Sequence, residues 1–149
     1  MHRTISLSEY VKKRNGVSLG APGSMRNMLK RSLGAGSFYL FWQYWNPIWG
    51  YYLSRKVMKP LSRLFPIWLA IVMTFAVSGA LHDLAITLVK WRFTFFFTPW
   101  FLLISLIVVV TKKFGLSYQG HHWVVRALIN ITLIAGCLFL TITLEHQYA

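Results

Sequence analysis

Acidic residues are scarce in this 149-residue sequence, which has only Glu9, Asp83 and Glu145 against 16 lysines and arginines. Hydrolysis by paired carboxylates needs two acids at one site, so this supply excludes it. The single cysteine, Cys137, excludes an intrachain disulfide. The sequence also lacks a nucleotide-binding glycine loop, a Cys/His zinc spacing and a Gly-x-Ser-x-Gly elbow. We therefore predict no metal site and no bound cofactor.

Apolar residues make up 56% of the chain, and its mean hydropathy is +0.50. That composition is typical of a membrane protein, because a soluble domain of this size needs a more polar surface. Three segments approach the roughly 20 apolar residues that a spanning helix requires, at about 64–89, 93–110 and 124–144. We predict an all-α integral membrane protein with about three transmembrane helices in a lipid bilayer.

The cations indicate an orientation in that bilayer. Eleven of the 16 lysines and arginines precede the first span, two follow it, three surround the next loop, and none follows the third span. By the positive-inside rule the N-terminus is cytoplasmic and the C-terminus is outside, and this arrangement argues against nucleic acid as the partner. The compact chain, with no targeting peptide in sight, favours a bacterial inner membrane.

Two regions follow from composition: a basic, loop-rich cytoplasmic lead-in over 1–37, with a short amphipathic turn near Met25–Leu33, and a helical membrane domain over 38–149. The membrane domain begins with nine aromatic residues between Phe38 and Tyr52, a composition that suits the bilayer interface. This stretch predicts an interfacial or re-entrant helix pair. Asn46 and Pro47 predict a helix start there, running to about Lys59. Pro99 predicts a kink in the second span.

The first span, "FAVSGALHDLAITLV" near its end, carries His82 and Asp83 side by side. Ionisable residues inside a membrane usually face a polar cavity or a partner. If the span instead ends at Leu81, the pair is an interfacial cap. A histidine can take a proton from an alcohol and return it to a leaving group, and an asparagine amide can hold a carbonyl group. Asn46 as a helix cap alone is the competing interpretation.

The stretches "FYLFWQYWNPIWGYY" and "FAVSGALHDL" together resemble the membrane-bound O-acyltransferases. That family has an aromatic motif ending in Trp-Asn or Trp-His, followed by a helix with Ser-Gly-x-x-His. Trp45 and Asn46 match the first motif, and Ser78, Gly79 and His82 match the second. The resemblance covers about 38–110, half of the chain.

The resemblance implies acyl transfer from a thioester donor, acyl-CoA or an acyl carrier protein, to a hydroxyl acceptor. His82 would be the catalytic base and Asn46 its supporting residue. Trp42, Trp45, Ser78 and Gly79 would contact substrate, and Arg55 in the basic segment 55–63 would attract the anionic donor by its charge.

The chain departs from that family in size. Its members usually have many more transmembrane helices, and three helices do not easily enclose a water-excluding tunnel. We therefore expect a homo-oligomer or other membrane subunits. The alternative function is a non-catalytic accessory subunit of a larger membrane complex that keeps a fragment of the acyltransferase fold.

Overall fold

A computed structural model describes residues 4–148, which form eight α-helices and no strand. A π-helical segment, Ser54–Met58, joins the fourth helix to the fifth. The helices are α1 (Leu7–Asn15), α2 (Ser24–Leu33), α3 (Phe38–Tyr44), α4 (Pro47–Leu53), α5 (Lys59–Leu64), α6 (Ile67–Lys90), α7 (Phe97–Lys113) and α8 (Trp123–Tyr148). The predicted all-α class is confirmed.

Two helices, α6 with 24 residues and α8 with 26, are long and apolar enough to cross a membrane. They confirm two of the three predicted spans at the level of length and composition. The third, α7, has 17 residues and is shorter than the other two, so its crossing stays a prediction. Because α6 continues to Lys90, His82 and Asp83 lie within the helix. Whether the membrane crossing itself ends at Leu81 stays open between the two predictions.

The core lies where α3, α6, α7 and α8 meet, and α6 and α7 pack along each other in opposite directions. Its buried residues are Phe38, Ile71, Ile104, Val108 and Cys137. The predicted kink at Pro99 is wrong, because α7 begins at Phe97 and places Pro99 in its first turn. Backbone N–H groups there have no partner inside the helix, so proline removes no hydrogen bond.

The aromatic stretch forms two short helices, α3 and α4, which both contact α6. Ser37 caps α3, and its Oγ accepts a hydrogen bond from the Leu40 N–H at 3.2 Å. Trp42 then contacts Phe75, with ring centroids 5.5 Å apart. After the break at 45–46, Trp49 contacts His82, about two helix turns further along α6 than Phe75. The pair is present as predicted; its interfacial or re-entrant position stays a prediction.

The helical stretch that begins with α4 does not end at Lys59, as predicted, but continues through the π-helical segment and α5 to Leu64. The π-helical segment explains why Pro60 is tolerated. In this segment each backbone N–H donates to the carbonyl five residues earlier, as the Lys59 N–H does to the Ser54 carbonyl. Pro60 lies directly after this segment, at the point where the hydrogen bonds return to the α-helical spacing of four residues. Proline has no N–H to donate, and this change of spacing accommodates the missing bond.

The N-terminal region is more ordered than a loop-rich lead-in. A capping box of Ser6 and Glu9 starts α1, and α2 coincides with the predicted amphipathic turn. The indole N–H of Trp123 donates to the Lys30 carbonyl at 2.9 Å, and the Asn130 amide donates to the Leu33 carbonyl at 2.8 Å. These two hydrogen bonds attach α2 to α8.

Candidate functional site

His82 lies inside α6 with its half-buried ring surrounded by aromatic side chains. The ring centroid is 5.9 Å from that of Trp49, 5.5 Å from Phe97 and 5.2 Å from Phe101. Its Nδ1 lies 2.7 Å from the Ser78 carbonyl oxygen. A carbonyl oxygen only accepts, so Nδ1 carries the hydrogen and the neutral ring has its lone pair on Nε2. Within residues 4–148, Nε2 has no hydrogen-bond partner.

Beside His82 lies a partly open cavity of about 280 Å³. One face of α6 forms its wall, because Ile71, Phe75, Ser78 and His82 recur at the three- and four-residue spacing that places side chains on one side of a helix. The wall thus extends over about 16 Å at 1.5 Å per residue. The rest of the lining comes from α1, α3, α4, α7, the break at 45–46 and the π-helical segment, and it is mainly apolar and aromatic.

Ser78 positions His82 through its backbone carbonyl and, by way of Trp49, through its hydroxyl group. Its carbonyl accepts from the imidazole, and its hydroxyl oxygen accepts from the Trp49 indole N–H at 2.9 Å. Ser78 is buried, so both bonds are shielded from water. Trp49 and Ser78 together restrict how the His82 ring can rotate, because the indole also contacts the imidazole edge to face.

Asn46 lies on the same cavity and caps α4. Its backbone is left-handed, with φ of 41°, and its Oδ1 accepts a hydrogen bond from the Trp49 N–H at 3.2 Å. The predicted helix start is confirmed, and so is the capping role. The amide Nδ2 makes no hydrogen bond to any residue from 4 to 148. That donor remains available to a molecule in the cavity.

The two predicted tryptophans also line the cavity. Trp42 contacts Phe75, and its Nε1 is buried without a hydrogen-bond partner in the described part of the chain. Trp45 stacks on Phe41, with ring centroids 5.7 Å apart. The structure therefore brings together five of the seven predicted site residues: Trp42, Trp45, Asn46, Ser78 and His82.

The other two predicted site residues lie elsewhere. Gly79 faces α7, and a Cβ built on it would be only 2.7 Å from the Thr98 Cα, so that face is filled by the neighbouring helix. Arg55 donates a hydrogen bond to the Ile5 carbonyl and lies over the Tyr51 ring at 4.5 Å. Gly79 therefore serves helix packing, and Arg55 holds the N-terminal segment.

Trp49 and Arg14 are two of the cavity residues that the sequence did not predict. Trp49 belonged to the aromatic stretch but had no predicted role. Arg14, one turn after Tyr10 on α1, lines the cavity and donates a hydrogen bond to the Gln43 Oε1. The four-residue spacing of Tyr10 and Arg14 places both on one helix face, but it does not reveal which surface that face covers.

Asp83 binds the start of α7 and not His82. Its Oδ1 accepts from the backbone N–H groups of Phe96 and Phe97, both at 2.8 Å. Its Oδ2 accepts from the Thr98 N–H at 2.9 Å and the Thr98 hydroxyl at 2.7 Å. The carboxylate thus satisfies three backbone donors that a helix start leaves without partners. His82 and Asp83 are neighbours in the sequence, but His82 faces the cavity and Asp83 binds the backbone of α7.

No family model, curated protein or solved structure matches this chain. Among the residues that the structure describes, no group of three His, Cys, Asp or Glu side chains could hold a metal ion. The chemistry of the site follows from its geometry: a histidine with one basic nitrogen free, two unpaired N–H donors and an aromatic cavity.

Proposed function

We propose that this chain is a membrane acyltransferase-like protein, which transfers an acyl group from a thioester donor to a hydroxyl acceptor in the membrane. Acyl-CoA or an acyl carrier protein would be the donor. The observation that carries the proposal is His82, whose Nδ1 is fixed to the Ser78 carbonyl while Nε2 is left free beside the cavity. A base with one fixed tautomer in an apolar site suits proton transfer from an alcohol.

The proposed reaction uses two kinds of group. Nε2 of His82 takes the proton of the acceptor hydroxyl as its oxygen attacks the thioester carbonyl carbon. The new C–O bond forms, the C–S bond breaks, and the imidazolium returns the proton to the departing thiolate. Negative charge that develops on the carbonyl oxygen would be stabilised by the side-chain N–H donors of Asn46. His82 and Asn46 both line the cavity.

The cavity volume limits how much substrate one chain can hold. At about 280 Å³ it lies just below the roughly 300–1,000 Å³ of sites that enclose a drug-sized ligand. It would hold the reacting groups, while the acyl tail and the rest of the donor extend beyond it. A second copy of the chain or another membrane subunit would enclose those parts.

The proposed setting is a bilayer, with the basic N-terminal face in the cytoplasm and a bacterial inner membrane as the location. The antiparallel packing of α6 and α7 supports a full return of the chain across the membrane in α7. At 17 residues α7 is about 25 Å long. It can span the hydrocarbon core if the bilayer thins slightly around it.

A non-catalytic accessory subunit is the second candidate, and one observation favours it. Only Ala127, Asn130, Cys137 and Thr141 of the 26 residues of α8 are buried. The remaining apolar surface of this helix is open to lipid or to another subunit. On this hypothesis His82 and Trp49 contribute to packing and not to chemistry.

The test is acyl transfer by the chain reconstituted in lipid nanodiscs, measured as thiol release from acyl-CoA and as acylated lipid by mass spectrometry. His82→Gln should lower the rate by roughly 10²–10⁴-fold, because it removes the base, and should leave the yield of folded protein unchanged. His121→Gln is the matched control, since His121 is exposed in the loop between α7 and α8. Equal rates for wild type and His82→Gln would exclude the proposed chemistry. An inactive wild type that copurifies in fixed stoichiometry with other membrane proteins would favour the accessory role.

A further inference from the structure

A second cavity, of about 410 Å³, lies between α2, α3 and the start of α8, away from His82. Its walls are closely fitted. A Cβ added at Gly34 would be 2.2 Å from the Trp123 Nε1, and one added at Gly36 would be 1.8 Å from the Gln119 Oε1. The hydrogen bond from the Trp123 indole to the Lys30 carbonyl joins two of these walls. The cavity is therefore built from fixed contacts.

Three cations line this cavity: Lys30 and Arg31 of α2 and Arg126 of α8. None of the three carboxylic residues of the chain lines it. Arg31 uses its Nη1 to donate to the Arg14 carbonyl at 2.7 Å. The Nε of Arg126 is buried and has no hydrogen-bond partner within the described residues. The guanidinium of Arg126 makes no side-chain hydrogen bond among the described residues, so its terminal N–H groups can donate to an anion in the cavity.

We propose that this second cavity binds a phosphate group, carried by an anionic lipid headgroup or free in solution. Arginine and lysine match the charge and geometry of phosphate oxygens. Neutral polar side chains of Asn27, Tyr44 and Gln119 line the same cavity and can bind the rest of a headgroup. Basic pockets between membrane helices on the cytoplasmic side bind lipid headgroups. The site is independent of the proposed acyl transfer at His82.

The probe is phosphatidylglycerol, compared with zwitterionic phosphatidylcholine by native mass spectrometry of the full chain released from mixed nanodiscs. The wild type should retain phosphatidylglycerol in preference. Lys30→Gln/Arg126→Gln should reduce its retention roughly tenfold or more, because two charge-assisted contacts are lost. Lys56→Gln/Lys59→Gln removes the same charge at two exposed positions outside the cavity and should retain the lipid as the wild type does.

Inorganic phosphate added in neutral detergent distinguishes the two sources. If it displaces phosphatidylglycerol, whereas chloride at the same ionic strength does not, the site binds the phosphate group itself. If the lipid is retained in excess phosphate and lost only in the Lys30/Arg126 variant, the site is specific for a headgroup. Equal retention of the two lipids by the wild type overturns the proposal without any variant. Equal loss from both double variants overturns it as well, because it reflects net charge alone.

Discussion

The carboxylate of Asp83 accepts two hydrogen bonds from Thr98, one from its backbone N–H at 2.9 Å and one from its hydroxyl at 2.7 Å. Thr98 is in the first turn of α7, whose Phe97 and Phe101 contact the His82 ring. An acid in the middle of an apolar helix is therefore explained by the neighbouring helix that it caps. It fixes the aromatic wall beside the histidine without touching the imidazole.

Asp83→Asn should destabilise the fold by about 1–3 kcal/mol, because an amide cannot accept from all four donors and a buried N–H is left unpaired. Unfolding in mixed detergent micelles, followed by circular dichroism, measures this loss. Glu145→Gln is the control, since Glu145 is exposed near the end of α8 and should change stability by less than about 0.5 kcal/mol. Equal stability of the two variants would mean that Asp83 does not hold α7.

Gly79→Ala should be destabilising by about 1–3 kcal/mol, since the added methyl group would meet backbone atoms of Phe97 and Thr98 within 2.8 Å. Backbone atoms cannot rotate away, so α6 and α7 would have to separate. Gly136→Ala provides the matched substitution in α8, where among residues 4–148 no atom beyond the local backbone of α8 and the two chain neighbours lies within 4 Å of the new Cβ. That change should be neutral or slightly stabilising. The same unfolding assay compares the two variants, and a harmless Gly79→Ala would contradict close packing there.

The stability of the protein should fall as the pH rises from about 10 to about 12. Burial raises the pKa of Tyr118 from 10.0 to about 12, and its hydroxyl donates to the Asn130 Oδ1. The unfolded chain loses this proton first, so the contribution is complete below pH 10 and is lost through the folded pKa. Tyr118→Phe should weaken this pH dependence, measured by unfolding at each pH. Tyr148→Phe, at an 87% exposed position, should keep it.

Membrane orientation can be tested with single cysteines in a Cys137→Ala background. Gln147→Cys, near the end of α8, should react in intact spheroplasts with a maleimide that does not cross membranes. Ser18→Cys, between α1 and α2, should react only after the membrane is permeabilised. The positive-inside rule gives this direction. The reverse labelling pattern would invert the proposed topology, and labelling of both positions from outside would exclude three crossings between them, because an odd number of crossings puts the two positions on opposite sides.

Sequence reasoning succeeded where the physical cause is local. Apolar length predicts α6 and α8, and the Asn46–Pro47 cap predicts the start of α4, because the capping bond joins neighbours in the chain. It failed where the cause lies far along the chain. The helix α1 is held in place by contacts such as that of Tyr10 with Tyr51, which lies 41 residues later in the chain. The role of Asp83 depends on backbone N–H groups of α7, which are present whatever the side chains are. The cavity could be predicted only in part, since Trp49 and Arg14 reach it through such distant packing.

The hydrogen bond between Asn130 and the Leu33 carbonyl joins residues 97 positions apart. During synthesis at roughly 5–20 residues per second, α2 must wait about 5–20 seconds after it emerges before the residue that holds it has been made. The contact of α2 with α8 therefore forms late in synthesis, although α2 is translated early, whereas α1 can contact Tyr51 of α4 much sooner. Until then the Leu33 carbonyl, which the Asn130 amide later binds, must find its hydrogen bond elsewhere, and water is the acceptor's nearest partner.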